Sequence, residues 1–291
     1  MSTSPPGRAA DESGGMVMEQ QLRTVIEQFV GTSPGNRFPD GSAPYFDTPL
    51  VGTAAADDPL FTAYKTVIGP FHLTPREVLA ASCGETAVAA TVISWVLPIT
   101  RPTRESNRRE ERFPSKAWAE TRSYGEQVNA ALRKHLTGWL EGKGYRAVAP
   151  QLSPAWRELA DAPVGIASTW SERHAAYAAG LGTFSLNDAL ITPRGIAHRC
   201  GSVVTDLALP ASPRPYADHR CNCLYYRNGS CGLCVARCPA GALSLAGHDK
   251  KLCREYVYGT VPAAVGEAYG VPNTGCGLCQ TRVPCEQSIP S

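Results

Sequence analysis

The sequence predicts an α+β protein in two parts, an N-terminal α/β domain followed by a small cysteine-rich module. Two observations carry that prediction. Through residue 209, helical segments alternate with short β-branched runs, the order expected when helices pack on a sheet. Beyond it, nine of the chain's eleven cysteines crowd between Cys221 and Cys285, leaving only Cys83 and Cys200 outside. At 291 residues and 43% hydrophobic content, the chain is long enough for one large and one smaller domain. Its net charge of +2 indicates no general field for nucleic acid or a membrane surface, and no run has the apolar length of a membrane span. With no secretory or twin-arginine leader in view, the expected setting is soluble, cytoplasmic and reducing.

Residues 1–15, rich in Ser, Pro, Gly and Ala, predict a disordered start. From Val17 to Val30, Leu22, Val25, Ile26, Phe29 and Val30 recur at helical spacing. A loop over Gly31 to Pro44 leads to a short strand near Leu50-Val51-Gly52. Asp57-Asp58-Pro59 puts an acceptor and a proline where a helix begins, predicting a helix to about Ile68, and Thr74-Pro75-Arg76-Glu77 repeats that signal for Val78 to Ala81. Thr86 to Leu97 is apolar on both faces and predicts a buried central strand. Arg101 to Arg112 mixes five Arg with three Glu, so it reads as a solvated loop rather than a nucleic-acid patch.

Ser115 opens a long helix to Glu141, with Trp118, Val128, Leu132, Leu136 and Leu140 inward and Gly142 and Gly144 closing it. Tyr145 to Ala149 reads as a strand. An Ala-rich helix then runs from Ser171 to the glycines of Gly180-Leu181-Gly182, and Leu190 to Thr192 and Ser202 to Leu209 read as further strands. The first domain thus covers 16–209. Prolines at 210, 213 and 215 mark a linker over 210–220, and the module occupies 221–291.

Inside the module, Cys231-Gly-Leu-Cys234-Val-Ala-Arg-Cys238-Pro239 has the bacterial ferredoxin spacing, in which the last cysteine of each run serves the cluster held by the other run. That arithmetic gives one [4Fe–4S] cluster to Cys231, Cys234, an earlier cysteine (Cys223 or Cys221) and Cys285. A second goes to Cys253, Cys276, Cys279 and Cys238. Cys223 stands eight positions before Cys231 instead of three, so spacing leaves the choice between Cys221 and Cys223 open. Gly232 and Gly277 let the backbone curl around a cubane, and Pro239 turns the chain away. Disulfides suit short secreted chains, and zinc usually takes two paired Cys-x-x-Cys units. Neither accounts for the Cys-x-x-x-Cys-Pro run or for Cys253 alone in mid-segment.

On Glu172-Arg173, Ala176, Ala179-Gly180-Leu181-Gly182, Asn187, Gly201-Ser202-Val203 and the cysteine scaffold, the sequence resembles the epoxyqueuosine reductase family and its smaller double-cluster relatives, from about Leu50 onward. Reductive dehalogenases look like cousins on the same plan. The resemblance implies a nitroreductase-like α/β domain that binds cobalamin in place of flavin, with a ferredoxin-like module whose two [4Fe–4S] clusters feed electrons to the cobalt. Three departures bear on the substrate. The tRNA-modifying enzymes place an acid just upstream of the Glu-Arg pair, whereas Pro163 to Ser171 holds none; the Lys expected before Asn187 is Leu186; and a helical-repeat tail is not seen after Cys285. Epoxyqueuosine-tRNA is therefore not the expected substrate.

His174, Tyr177 and Tyr124 are the candidate proton donors, His174 because an imidazole titrates near neutrality and the tyrosines by analogy with the dehalogenase cousins. The plain alternatives are a helix-face histidine and core aromatics. Arg173, Gly180, Gly182, Thr183, Asn187 and Cys200 are the candidate cofactor contacts. Against them stand a structural Glu172–Arg173 network, a helix C-cap and a buried apolar thiol. His248-Asp249-Lys250 is a turn before Cys253 or a group that tunes a cluster by hydrogen bonding. The reading is a redox enzyme acting on a small molecule by reductive elimination, deoxygenation or dehalogenation, with an external ferredoxin- or flavodoxin-type donor. A flavin in the same pocket and a non-catalytic electron carrier are the rivals, and neither nucleic acid nor membrane is an expected partner.

Overall fold

The structure, a computed structural model, describes residues 12–291; residues 1–11 of the expected disordered start lie outside that range. Helix α1 spans Glu12–Thr32, beginning inside the segment expected to be unstructured. It is followed by strand β1 (Leu50–Ala55) and helices α2 (Pro59–Val67) and α3 (Pro75–Cys83). Both short helices start as their sequences require. The Asp58 side chain accepts from the Leu60 amide, and Thr74 and Glu77 form a reciprocal capping box. Strand β2 (Thr91–Pro98) is buried at every residue. Helices α4 (Arg101–Arg108) and α5 (Lys116–Gly142) come next, α5 capped by the Ser115 hydroxyl, then the short edge strand β3 (Ala147–Val148).

A hairpin of β4 (Glu158–Ala162) and β5 (Gly165–Ser168) precedes helix α6 (Glu172–Ala178). Strands β6 (Thr183–Phe184) and β7 (Leu190–Ile191) form a second small hairpin before the long strand β8 (His198–Thr205). The main sheet runs β1-β2-β8-β3 with every pair antiparallel, Leu50 opposite Val96 and Thr91 opposite Thr205.

The alternation of β2 explains its apolar sequence. Ile93, Trp95 and Leu97 face the core built with Leu22 and Ile26 of α1 and Leu132 and Leu136 of α5. Val92 and Val96 face Phe61, Leu79 and Ala176 on the other side. Each such side chain withdrawn from water contributes about 1.5–3 kcal/mol, so helices on both faces hold the sheet as a middle layer.

Beyond residue 205 the chain crosses back over β1, where the Ser212 amide donates to the Thr53 carbonyl and the Thr53 hydroxyl to that of Pro210. The expected linker is thus pinned to the sheet edge. The cysteine-rich part contains α7 (Leu224–Asn228), α8 (Leu233–Ala236), the hairpin β9 (Leu243–Ser244) and β10 (Gly247–His248), α9 (Lys250–Glu255) and α10 (Glu267–Tyr269). It has no core to itself: Leu186, Ile191 and Ile196 pack with Cys223, Val283 and Ile289 in one cluster.

The Arg101–Arg112 segment is not the solvated loop its charges suggested. Most of it is α4, with Arg104 and Asn107 buried. Arg108 Nε lies 2.6 Å and Arg104 Nε 3.6 Å from the carboxylate of Glu286, itself 1% exposed. A buried carboxylate needs partners, and the helix supplies them.

Candidate functional site

The fold sorts the cysteines into two quartets. Cys223, Cys231, Cys234 and Cys285 line one narrow cavity, together with Asn187 and Ile196. Cys238, Cys253, Cys276 and Cys279 line a second, of about 390 Å³. Cys285 is therefore grouped with the upstream run and Cys238 with the downstream one. The thiols of Cys234, Cys276 and Cys285 feel the charges of their own quartet, and Cys279 feels Cys234 of the other quartet as well. Cys221 stands outside both, its sulfur 3.6 Å from Asn222 Oδ1 and its charge felt by Tyr177 and Tyr216.

Burial pushes the thiols of Cys276 and Cys285 up to about 12 and that of Cys234 to about 11. Such thiols ionise only beside a strong cation, and iron inverts their acidity as it binds. Among the described residues no three His, Cys, Asp or Glu converge tightly enough for a single ion; each quartet surrounds a space. The donor set thus fits a sulfide-bridged cluster. Gly277, at φ +65°, brings its loop so close to α5 that a Cβ would fall 1.9 Å from the Trp118 ring.

A third cavity, of about 720 Å³, lies between α2, the β4–β5 hairpin and α6. That size suits a small organic ligand or cofactor. Leu60, Tyr64, Trp156, Ile166 and Phe184 make its apolar wall, and Arg173, Asp188, His219, His248 and Lys250 its polar one. Glu158, Ile166, Arg173, His248 and Lys250 also line the cavity of the downstream quartet, so the two spaces adjoin. A polar chamber of about 300 Å³ meets both at Arg173.

The candidate residues divide accordingly. Arg173, His174 and Tyr177 line the large cavity. His174 Nδ1 sits 2.8 Å from the Ser171 hydroxyl, and burial beside Tyr64, His72 and Phe184 pushes its pKa down to about 3. It is neutral at physiological pH, which corrects the expectation that it titrates near neutrality. Burial raises the pKa of Tyr177, which keeps its phenol protonated and able to donate. Tyr124 belongs elsewhere: it packs against the α1–α5 core beside Tyr45, its hydroxyl 3.5 Å from the Gly270 carbonyl.

Gly180 and Gly182 line none of these cavities. A Cβ on Gly180 (φ +74°) would meet the Pro213 carbonyl at 2.2 Å, and one on Gly182 the Ile191 carbonyl at 2.6 Å. They are required by close backbone packing instead of by a cofactor. Gly180→Ala is expected to cost about 1–3 kcal/mol from backbone strain alone, read as a lower midpoint in urea. An unchanged midpoint would contradict this packing role. Thr183 is fully buried, and its hydroxyl accepts from the Asn222 amide, fixing the residue before Cys223. Asn187 lies between the two quartets, donating to the Cys279 carbonyl at 3.0 Å. Cys200 lines the polar chamber, 3.6 Å from His198 Nδ1, its thiol pushed up to about 12 by burial.

Glu172 does not pair with Arg173. It meets Arg133 at 3.3 Å and accepts from the Ser202 hydroxyl, leaving Arg173 free of any hydrogen bond or ion pair among the described residues. Asp188 is the acid that sequence reasoning missed. It holds φ +62°, lines the large cavity and pairs with His248 Nδ1 at 3.1 Å. Asn187-Asp188 was the available signal, since these residue types tolerate the left-handed region. The β4–β5 hairpin was also missed. Its tip is strapped to α9 by Lys250 (to the Val164 carbonyl, 3.0 Å) and by Lys251 to Asp161 (2.8 Å), and its open end by Arg254 to Glu158.

This is a mixed α/β fold carrying paired cysteine quartets beside a ligand-sized cavity, and proteins of known structure share it. A selenomethionine-labelled epoxyqueuosine reductase overlaps 95% of this chain and 70% of its own length, at TM-score 0.52 and 16% identity. A reductive dehalogenase, whose structure suggests a mechanism for B12-dependent dehalogenation, overlaps 99% of this chain and 34% of its own, at TM-score 0.55 and 14% identity. By sequence, an epoxyqueuosine reductase of Bacillus anthracis is 31% identical over 119 residues, 39% of this chain. The chain matches 29% of that relative's length. No protein-family model matches. These are the two groups that the motifs suggested, and both are oxidoreductases by name. A further epoxyqueuosine reductase, solved with a tRNA stem loop, overlaps 93% of this chain and 66% of its own length, at TM-score 0.49 and 17% identity. No helix among the described residues is long and apolar enough to cross a membrane.

Proposed function

We propose that this chain is an iron–sulfur reductase that delivers electrons through two [4Fe–4S] clusters to a cobalamin in the large cavity, for reduction of a small molecule. The observation that carries the reading is the sorting of eight cysteines into two crossed quartets, the downstream one adjoining the large cavity. Cys223, Cys231, Cys234 and Cys285 would hold one cluster, and Cys238, Cys253, Cys276 and Cys279 the other. When bound, the clusters supply one-electron transfer and the corrin the two-electron reduction of the substrate.

The chain's own residues set access, orientation and protonation. The apolar wall of α2 and Phe184 excludes water from one side of the cavity. Arg173, with no partner among the described residues, is available to an anionic group on the other. Tyr177 and the Asp188–His248 pair are placed to hold protons there, His248 being raised to about 9 despite its burial by its contacts with Asp188 and Cys253.

The deciding experiment is an inventory of iron, sulfide, cobalt and flavin in protein purified without oxygen. About eight iron atoms per chain with cobalt retained is the expected result. Flavin without cobalt would move the reading to a flavin reductase on the same scaffold, and full iron with neither to an electron carrier. Zinc or disulfides in the quartets would sink it altogether. Salt-dependent tRNA binding by the same preparation would reinstate an RNA substrate.

A further inference from the structure

Thr121 lies in the second turn of α5, which supports the loop of the downstream quartet. Trp118 underlies Gly277, and Arg122 comes so close to Gly275 that a Cβ there would meet its side chain at 2.8 Å. Thr121 is 1% exposed and its hydroxyl has no hydrogen-bond partner among the described residues. Helical threonines usually satisfy this group on a carbonyl of the preceding turn. Thr24, Thr32 and Thr137 do so here, bonding to Gln20, Gln28 and Lys134, whereas Thr62 and Thr66 of α2, which do not, are exposed to water. Thr121 withholds its hydroxyl from its own helix although it is buried, and it lines the cavity shared by Cys238, Cys253, Cys276 and Cys279. A buried hydroxyl left without a partner is costly, so such a group marks a missing acceptor. Four thiols line that space, together with polar groups that include Glu158, Asn187 and Gln280.

We infer that Thr121 is a hydrogen-bond donor to the downstream cluster, to a bridging sulfide or a ligand thiolate, and that it raises the cluster's reduction potential. This rests on the cluster reading above. A donor to sulfur stabilises the reduced, more negative state, so removing it favours the oxidised one. A residue of the first domain thereby sets how readily the cluster beside the large cavity accepts an electron.

The test is a potentiometric titration followed by electron paramagnetic resonance. It uses anaerobically reconstituted wild type, Thr121→Val and Thr121→Ser, each assayed first for iron and sulfide. The downstream cluster is expected to shift to more negative potential in Thr121→Val and to stay at the wild-type value in Thr121→Ser, with the upstream cluster unmoved in both. Thr121→Ala removes the same hydroxyl and carries the test should the valine variant not load. A hydroxyl-free variant with full iron and an unmoved midpoint overturns the proposal. Wild-type protein that takes up no iron overturns the reading beneath it.

Discussion

Cys285→Ser is expected to retain about four of about eight iron atoms, and the four lost are those associated with Cys231 and Cys234, far upstream in sequence. The reason is spatial. The segment after Cys279 turns back so that the Ile196 amide donates to the Cys285 carbonyl at 2.9 Å, and Cys285 enters the cavity lined by Cys223, Cys231 and Cys234. Glu286, the next residue, is anchored by Arg104 and Arg108, and its carboxylate also accepts from the Arg282 amide at 2.7 Å. The turn is therefore held independently of any metal, and a serine there leaves the backbone in place while removing one thiolate. Iron analysis with Mössbauer or paramagnetic resonance spectra distinguishes the outcomes. Cys238→Ser is expected to remove the other cluster, and Cys221→Ser neither. Loss of only the downstream cluster in Cys285→Ser would refute the crossed arrangement.

Lowering the pH from 7.5 to 5.5 is expected to cost the fold about 3 kcal/mol, which is large against a typical total of about 5–15 kcal/mol. Three histidines are responsible. Burial pushes the pKa of His72 to about 4, that of His174 to about 3 and that of His198 to about 4, below the ordinary 6.5. His72 stacks on Trp170 with Nδ1 unpartnered, and His198 places Nε2 2.9 Å from the Leu190 carbonyl. A base with a depressed folded pKa gives its full stability above the unfolded value. That stability is lost as pH falls from about 6.5 toward the folded value, because the unfolded chain takes up the proton first.

At pH 5.5 each such histidine costs about 1.4 kcal/mol, together ~4 kcal/mol. His248 has the opposite sign. Raised to about 9, its contribution is lost as pH rises through that value, and over the same interval it offsets about 1 kcal/mol. Urea unfolding at fixed ionic strength, without oxygen, measures the slope, and His72→Gln should remove roughly half of the drop. A midpoint unchanged or higher at pH 5.5 would show that these imidazoles are not held neutral.

Local rules were legible where local physics decides. The caps at Asp58, Thr74 and Ser115 start helices from their own side chains, and of the two-faced run Thr86 to Leu97 the part from Thr91 on lies in the strand that proved fully buried, while 86–90 precede it. What reads as charge in sequence depends on a partner brought from elsewhere. Arg104 and Arg108 looked solvated because Glu286 is 178 residues from Arg108. Gly180 and Gly182 looked like cofactor contacts because nothing nearby in sequence announces the Pro213 and Ile191 carbonyls against them. Tyr124 and Tyr177 are both tyrosines on helices, and only packing puts one against the core and the other on the cavity.

By itself, the sequence determined the cysteine spacing, the capped helices and the apolar strand, since each rests on residues within a few positions of one another. Only the tertiary structure decided that Cys223 and not Cys221 joins the upstream quartet, that Asp188 faces the large cavity and that Thr121 lines the cavity of the downstream thiols. Those outcomes depend on which distant segments are pressed together when the sheet and its helices bury their apolar faces, and no local pattern encodes that pressure.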